Sequence, residues 1–254
     1  MAAAAQPNGR RHDRLDVNEV AREAKDAVGD AVQSVSEAAA TQAARLKPFL
    51  RGWIHAVTAP LALAAAIVLV VLADTTADKV ACAIFGVTAV MLFGTSAVYH
   101  LGTGTWSPRT AAVLRRLDHA NIFLIIAGTY TPLAVMLLPR STATVLLAVV
   151  WSGAILGLVG RVLWMSAPRW LYVPVYVALG CVAVGYIPQF SATGGAAVAW
   201  LVAAGGIAYI LGAVVYGTKF PNPSPRWFGF HEIFHALTVV GFTCHTVAIY
   251  LAAL

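Results

Sequence analysis

Two histidines stand four residues apart in the segment His231–His235, whose sequence is HEIFH. On an α-helix, side chains at this spacing lie on one face, about one turn from each other. Two imidazoles so placed can share one zinc ion. The apolar run that continues to Leu254 is about as long as a bilayer is thick, and polar side chains in such a run are costly and mark function. The pattern predicts two metal ligands, with others supplied by distant segments.

The composition indicates which elements must position these ligands. Of the 254 residues, 59% are hydrophobic and 11% are charged, whereas a soluble domain has about 25% charged residues. Residues 1–50 predict a polar cytoplasmic tail that is weakly amphipathic or disordered. Residues 51–254 predict an all-α integral membrane protein, a bundle of seven transmembrane helices. The seven apolar runs are 54–73, 80–101, 118–138, 142–164, 170–188, 196–216 and 231–253.

The cations outside the tail are scattered singly between the apolar runs, so they indicate membrane topology rather than a nucleic-acid-binding surface. If the N-terminus is cytoplasmic, the inner loops hold most of these cations and the outer loops hold only Lys79 and Arg140. The inner set is Arg109, Arg115, Arg116, Arg161, Arg169, Lys219 and Arg226. This distribution predicts a multi-pass protein of the inner (plasma) membrane, with its C-terminus outside. The polar N-terminus and the full spanning length of the first apolar run, with no A-x-A pattern after it, predict no secretory signal peptide.

This topology brings three distant segments to one depth at the cytoplasmic face. The second helix ends at His100, the third begins at Asp118, and the seventh begins near His231. His100, His231 and His235 would supply the three protein ligands of a catalytic zinc site, which keeps one position open for water. Asp118 could orient that water and act as general base, while the metal lowers the water's pKa toward about 7. Ser96, one turn before His100, could hold the water or a substrate oxygen.

The remaining histidines and the cysteines carry weaker signals. His55 follows Arg51-Gly52-Trp53, which predicts a position at the membrane interface. His119 points about 100° away from Asp118 on a helix, which predicts packing or support of the site. His245 lies too deep for the same ion and is expected to pack. The three cysteines, Cys82, Cys181 and Cys244, lack CxxC spacing and are predicted to be buried free thiols.

Glu232 leaves a second interpretation open. H-E-x-x-H is the pattern of soluble zinc proteases, in which the glutamate is the general base. On the residues alone, both Glu232 and Asp118 are candidates for the base. An intramembrane protease would also be expected to show an Asp-containing partner motif such as Leu-Asp-Gly. The nearest segment, Leu117-Asp118-His119, does not fit that motif well.

Three motifs resemble those of the hemolysin III family, the bacterial branch of the progestin and adipoQ receptor superfamily, which includes the adiponectin receptors. They are Ser96-x-x-x-His100, the stretch 116–132 that begins RLDHANIF and ends AGTYTP, and the HEIFH segment. The resemblance covers about residues 50–254. One departure concerns the superfamily's first motif, which usually places Glu and Asn ahead of a His. This chain reads Leu50-Arg51-Gly52-Trp53-Ile54-His55 there.

The resemblance implies a seven-helix fold with a zinc ion near the cytoplasmic side. The ligands would be His100, His231 and His235, with Asp118 holding the zinc-bound water and Ser96 nearby. It also implies chemistry like that of ceramidases, which cleave a lipid amide. Glu232 would then support the site rather than act as base, because eukaryotic relatives need no acid at its position.

These observations together predict a zinc-dependent membrane hydrolase that cleaves an amide or ester bond of a lipid. Its partners would be membrane lipids and a lipid substrate that enters sideways from the bilayer. Three alternatives stay open: a receptor or regulator in which zinc only stabilises the bundle, a cytolysin, and an intramembrane zinc protease. The GxxxG spacing of Gly153 and Gly157 predicts close helix packing and does not fix the oligomeric state.

Overall fold

The computed structural model describes residues 22–35 and 48–254. The chain comprises two units, Met1–Lys47 and Pro48–Leu254. In the first unit, residues 22–35 form a helix whose side chains are all exposed. The rest of the predicted tail lies outside the described residues, and the division predicted at residue 50 stays a prediction.

The second unit is built from helices. They are α1 (Trp53–Leu72), α2 (Thr76–Leu101), α3 (Pro108–Leu137), α4 (Arg140–Leu163), α5 (Arg169–Cys181), α6 (Ile187–Thr218) and α7 (Phe230–Ala253). A short 3₁₀ helix, Val182–Tyr186, joins α5 to α6. Within residues 22–35 and 48–254 there is no β-strand, only an isolated bridge between Ser224 and Phe228.

Six helical stretches in the described part of the chain are long and apolar enough to cross a membrane. Five of them are α1, α2, α3, α4 and α7, and the sixth runs from Arg169 to Thr218 through α5, the 3₁₀ helix and α6. An all-helical integral membrane bundle is therefore confirmed. The count of seven spans and the sides of the termini stay predictions.

The long stretch contains one backbone break, at Gly195, whose φ is 82° and ψ is 167°. This positive φ suits glycine, because glycine has no Cβ to clash with the backbone. The segments on either side, 169–194 and 196–218, are each long enough to cross a bilayer at 1.5 Å per residue. The break falls immediately before the sixth predicted run, 196–216.

Helix α3 begins earlier than its apolar run predicts. Its cap is Ser107, which accepts a hydrogen bond from the Thr110 N–H, and Pro108 occupies the first helical position. Asp118 therefore lies about three turns inside the helix, and the prediction that the helix begins there is wrong. The reason is that hydropathy marks the apolar length of a helix, whereas its backbone continues through the polar segment 109–117.

Two groups of closely packed helices form the bundle. Helix α3 is the most buried of the six stretches and packs between α2 and α4. Helix α7 packs along α6 and also contacts α1 and α3. Between α2 and α7, the ring of Phe242 stacks on Phe85 with centroids 5.5 Å apart and meets Phe93 edge-on at 4.9 Å. These contacts place α2 beside α7, the two helices that carry the predicted ligands.

One tyrosine satisfies backbone groups where α5 changes into the 3₁₀ helix. The hydroxyl of Tyr130 in α3 donates to the Gly180 carbonyl at 2.6 Å and accepts from the Ala183 N–H at 2.6 Å. Inside an apolar bundle such groups have no water to replace a lost helical partner. Tyr130 therefore fixes this irregular segment against the central helix.

The glycines of the GxxxG spacing pack within the chain. An added Cβ at Gly157 would lie 2.3 Å from the ring of Phe123 in α3, and one at Gly153 would lie 2.8 Å from Leu179 in α5. The prediction of close helix packing is confirmed, because neither position leaves room for a larger residue.

The tightest glycine contact predicts a stability defect. A Cβ at Gly128 in α3 would lie 2.0 Å from Thr88 Oγ1 and 3.0 Å from Thr88 Cβ, so α2 and α3 would have to separate. We expect Gly128→Ala to lower the free energy of unfolding by about 1–3 kcal/mol, measured by unfolding of the detergent-solubilised protein. Gly160→Ala is the matched control, because nothing lies within 4 Å of its added Cβ. Equal losses in both variants would contradict the close α2–α3 contact.

Candidate metal centre

Three histidines from two helices converge at one end of the bundle. His100 lies in the last turn of α2, and His231 and His235 lie in the first turns of α7. Each offers a ring nitrogen, and the three nitrogens lie within 4.8 Å of one another. His231 Nε2 and His100 Nε2 are 3.2 Å apart. His100 and His235 are buried and His231 is half-buried.

This donor set fits a metal ion. Zinc–imidazole bonds of about 2.0–2.1 Å in a tetrahedral arrangement separate neighbouring nitrogens by roughly 3.3 Å, close to the observed 3.2 Å. Neutral imidazole suits zinc and also copper, iron and nickel. The three residues predicted as ligands therefore form a buried group that could hold a metal ion, and the donor set alone does not select zinc.

Asp118 and Ser96 lie beside the histidines. Asp118 Oδ2 is 3.6 Å from His100 Nε2 and 3.8 Å from His119 Nδ1, and its side chain is 11% exposed. Ser96 is buried, and its Oγ has no hydrogen-bond partner within the described residues. Both residues line the same cavity as His231 and His235. The structure thus brings together all five residues proposed for the site.

An asparagine holds α2 and α3 in the register that this arrangement requires. Asn121, almost one turn beyond Asp118, donates through Nδ2 to the Met91 carbonyl at 2.8 Å and to Thr95 Oγ1 at 3.1 Å. Thr95 precedes Ser96, so the contact lies next to the site. Asn121 belongs to the RLDHANIF motif, which was the available signal, although sequence reasoning gave the residue no role.

Glu232 is occupied by structural contacts. Its Oε2 accepts a hydrogen bond from the Gly229 N–H at 2.8 Å, which caps the start of α7. Its Oε1 is 2.8 Å from Arg51 Nε, and the Glu232 side chain is 1% exposed. The residue is not among those that line the cavity. Both carboxylate oxygens are engaged away from the histidine nitrogens, which does not favour the protease interpretation of H-E-x-x-H.

The segment before α1 clamps the start of α7 to the end of α2. We call residues 48–52 the N-terminal clamp. The Phe49 and Leu50 N–H groups donate to the carbonyls of Arg226 and Trp227 at 3.0 and 3.3 Å, ahead of α7. Gly52 has a φ of 91°, and an added Cβ there would lie 2.9 Å from the Cβ of His100. The clamp therefore contacts the ends of both ligand-bearing helices.

The predicted interface position of His55 is wrong. Its ring stacks on that of His235, with centroids 3.9 Å apart and planes 7° apart, and the residue is 3% exposed. Both ring nitrogens are buried without a hydrogen-bond partner among the described residues. Trp53, two positions earlier, is 53% exposed. Two residues on a helix point about 200° apart, so an exposed Trp53 places His55 inside.

Among the described residues, the other two histidines, His119 and His245, lie in the cavity wall. His119 Nδ1 is 2.8 Å from the Arg115 carbonyl, and its Nε2 is 3.4 Å from the hydroxyl of Tyr216 in α6. His245 Nε2 is 3.1 Å from the Val202 carbonyl. Neither belongs to the group of three converging histidines. The cysteines are free thiols, with Cys82 buried and the other two, Cys181 and Cys244, half-buried.

Of the three histidines, His231 and His235 line a cavity of about 340 Å³ inside the bundle. Its wall is mostly apolar and is formed by residues of all the helices of the second unit except α4, and by the 3₁₀ helix. Ligand-binding cavities of this size bury most of a small molecule's surface. Its apolar lining includes Leu92, Ile122, Ile125, Ile126, Leu133, Val177, Ile187, Phe190, Ile207, Ile210 and Phe234.

The fold and the site define a multi-pass membrane protein with a buried metal-binding-type histidine cluster at the polar end of an apolar cavity. Residues 43–246 match the family model described as Haemolysin-III related. The chain therefore belongs to the haemolysin III family, as its motifs predicted. The membership and the apolar helices also confirm the predicted multi-pass plasma-membrane protein.

Three relatives illustrate the reach of the similarity. The chain is 32% identical to a hemolysin-3 homolog of Bacillus subtilis (strain 168), over 60% of this chain and 71% of that protein. It is 30% identical to hemolysin-3 of Bacillus cereus, over 68% of this chain and 80% of that protein. A more distant relative is progestin and adipoQ receptor-like protein 1 of Caenorhabditis elegans. It is 26% identical to the chain, over 66% of this chain and 42% of that protein.

The ion pair in the clamp predicts coupled stability effects. Glu232→Gln and Arg51→Gln each remove one of the two charges of the ion pair between Arg51 and Glu232, so we expect each to lower the free energy of unfolding. The double variant should lose less than the sum, with a coupling of about 1–3 kcal/mol, because the second change removes an interaction already lost. Unfolding of the four proteins in detergent measures this. Glu232→Gln should also keep its bound metal, and additive losses or a metal-free Glu232→Gln protein would contradict the structural role.

Proposed function

We propose that this protein is a zinc-dependent membrane hydrolase that cleaves an amide or ester bond of a lipid. One observation carries the proposal. Three imidazoles offer nitrogens within 4.8 Å of one another, and two of them, those of His231 and His235, line a mostly apolar cavity together with the carboxylate of Asp118 and the hydroxyl of Ser96. Such a combination offers metal ligands, a proton acceptor and a hydrogen-bond donor beside a space suited to a hydrocarbon chain.

The residues divide the chemistry among them. His100, His231 and His235 would hold the ion, and bound zinc supplies Lewis acidity and makes a water molecule easier to deprotonate. Asp118 Oδ2 would accept the proton of the attacking water and later deliver it to the leaving amine or alcohol. Ser96 Oγ would donate a hydrogen bond to the substrate's carbonyl oxygen, where negative charge develops.

The apolar wall supports a lipid as substrate. A chain that reaches the cavity from the bilayer exchanges one apolar environment for another, and the apolar wall would exclude bulk water other than the molecule that attacks the bond. Exclusion of water also strengthens the electrostatic effect of Asp118 and the histidines. His119 and Tyr216, in contact with each other on the wall beside Asp118, would border the polar end of the substrate.

We further propose seven spans with the N-terminus in the cytoplasm. The break at Gly195 would be the turn that separates the fifth span from the sixth, which gives seven crossings in place of six stretches. The cations on α3 and after α6 would then lie on the cytoplasmic side, as the positive-inside rule requires. The histidine site would face that side as well.

A receptor or regulator is the second candidate. It is supported by the name of the Caenorhabditis elegans relative, which describes a progestin and adipoQ receptor-like protein. In that case the metal would serve only to stabilise α2 against α7, and removing it would weaken the fold without any loss of turnover. The test below separates the two candidates.

The hydrolase proposal predicts that metal binding and turnover can be separated. We expect His231→Ala to lose both the bound metal and the hydrolysis of a labelled lipid amide or ester. Asp118→Asn should keep the metal and lose turnover by about 10²–10⁴-fold, because the proton acceptor is gone while the ligands remain. Metal analysis of the purified protein and a product assay measure the two effects.

Asp74→Asn, the same change at an exposed acid far along the sequence from the site, is the control and should behave as wild type. Unchanged turnover in Asp118→Asn would show that Asp118 is not the base. Absence of any lipid turnover by the metal-loaded wild type would favour the receptor.

The topology predicts which loops an impermeant thiol reagent can reach. Cysteines introduced at Arg109 and Lys219, both exposed, should react only after the membrane is opened, in a background without the native cysteines. A cysteine at Arg140, which is also exposed, is the control and should react in intact cells. Outward labelling at Arg109 and Lys219 would reverse the proposed orientation.

A further inference from the structure

The same cavity contains a second polar group, well away from the three histidine ligands. His245 follows His235 by ten residues in α7, which is about 15 Å along the helix axis. Tyr209, in α6, lies beside it with ring centroids 5.5 Å apart. Both residues line the cavity. The hydrolase chemistry proposed above uses neither of them.

Two glycines make the space for these rings. An added Cβ at Gly205 in α6 would lie 2.5 Å from the ring of His245, and one at Gly241 in α7 would lie 3.0 Å from the ring of Tyr209. Gly205 stands four residues before Tyr209 in α6, and Gly241 stands four residues before His245 in α7. The glycine of each helix therefore packs against the polar ring of the other helix. The α6–α7 interface is therefore shaped to hold a tyrosine and a histidine at this depth.

Each of the two rings has a buried polar atom without a partner. Neither the Tyr209 hydroxyl nor His245 Nδ1 has a hydrogen-bond partner within the described residues. His245 Nε2 faces the Val202 carbonyl at 3.1 Å. Because a carbonyl can only accept, Nε2 carries the proton, and Nδ1 of the neutral ring is an acceptor. The pair thus offers one acceptor and one hydroxyl that can donate or accept.

Such atoms are costly to bury unless something bonds to them. Within the part of the chain that the structure describes, one acidic residue lines the cavity. It is Asp118, at the other end. The walls near the pair are apolar and include Val202, Ala203 and Ile207. The matching ligand group is therefore small, uncharged and able to donate a hydrogen bond, with hydrocarbon on both sides of it.

We propose that Tyr209 and His245 form a subsite for a hydroxyl group carried in the middle of the substrate's hydrocarbon chain. The proposal rests on the proposed function, because it takes the cavity to hold a lipid whose reacting bond lies at the histidines. It adds a substrate class: lipids hydroxylated along the chain, at a distance from the amide or ester. The chain hydroxyl donates to His245 Nδ1 and accepts from the Tyr209 hydroxyl.

The test compares two fatty acids that differ by one hydroxyl. Ricinoleic acid is oleic acid with a mid-chain hydroxyl, and both resemble the acid released by lipid hydrolysis. Their binding to the purified full-length, metal-loaded protein is measured by displacement of a fluorescent fatty acid, without any need for turnover. We expect ricinoleic acid to bind roughly three- to ten-fold more tightly, as one or two net hydrogen bonds would give. 17-Hydroxyoleic acid, whose hydroxyl stands near the methyl end of the chain, should bind no more tightly than oleic acid.

Tyr209→Phe removes only the hydroxyl and should reduce the preference for ricinoleic acid while leaving oleic acid binding unchanged, because the contact to His245 Nδ1 remains. Tyr250→Phe is the matched control, because the Tyr250 hydroxyl donates to the Ala65 carbonyl outside the cavity. That variant should keep the preference. The wild-type comparison of the three acids stands even if Tyr209→Phe fails to fold.

The outcomes separate the subsite from the function on which it rests. Equal binding of ricinoleic and oleic acid would overturn the subsite and leave a lipid-binding cavity in place. An undiminished preference in Tyr209→Phe would assign the hydroxyl to another part of the wall and also overturn it. Failure of every acid to bind would overturn the lipid-binding cavity, and the proposed substrate class with it.

Discussion

The candidate metal centre requires His100 and His231, on two different helices, to approach to 3.2 Å between their Nε2 atoms. The two residues are 131 positions apart in sequence and belong to α2 and α7, so no local element brings them together. Polar nitrogens held in an apolar interior are costly unless they bind something. The alignment of these two helix ends must therefore be enforced by other parts of the chain.

The N-terminal clamp, residues 48–52, supplies much of that enforcement. Arg51 holds the carboxylate of Glu232 in the first turn of α7, while Gly52 lies against His100 at the last turn of α2. Because Gly52 has a positive φ and no Cβ, the chain can pass this close before α1 begins. Glu232, the glutamate of H-E-x-x-H, thus has a structural role. It caps the start of α7 and forms the ion pair that joins this helix to the clamp. Its neighbours His231 and His235 are left to face the cavity.

Local patterns predicted much of this site, because apolar length and helical spacing are properties of single segments. They placed His100 and the HEIFH histidines at a common depth and put Ser96 beside them. They could not show the rotation of one helix against another, so they missed that His55 faces His235 and that Glu232 meets Arg51. They also misplaced the start of α3, because hydropathy does not record a polar helical extension. Asn121 fixes the position of α3 along α2 through hydrogen bonds between the two helices. No single segment of sequence reveals such a contact.

The number of converging ligands bears on the choice between a catalytic and a purely structural metal. Structural zinc sites are closed by four protein ligands, whereas catalytic sites use three and keep a position for water or substrate. Here the converging group consists of three histidines, and Asp118 stands 3.6 Å from His100 Nε2, beyond the distance of a hydrogen-bonded pair. Because two ligands of one tetrahedral ion also stand roughly 3.3 Å apart, a carboxylate at this distance can contact either the ion or a molecule in the open position. A donor set of three histidines, two of which line the cavity, is the set that the proposed hydrolase requires.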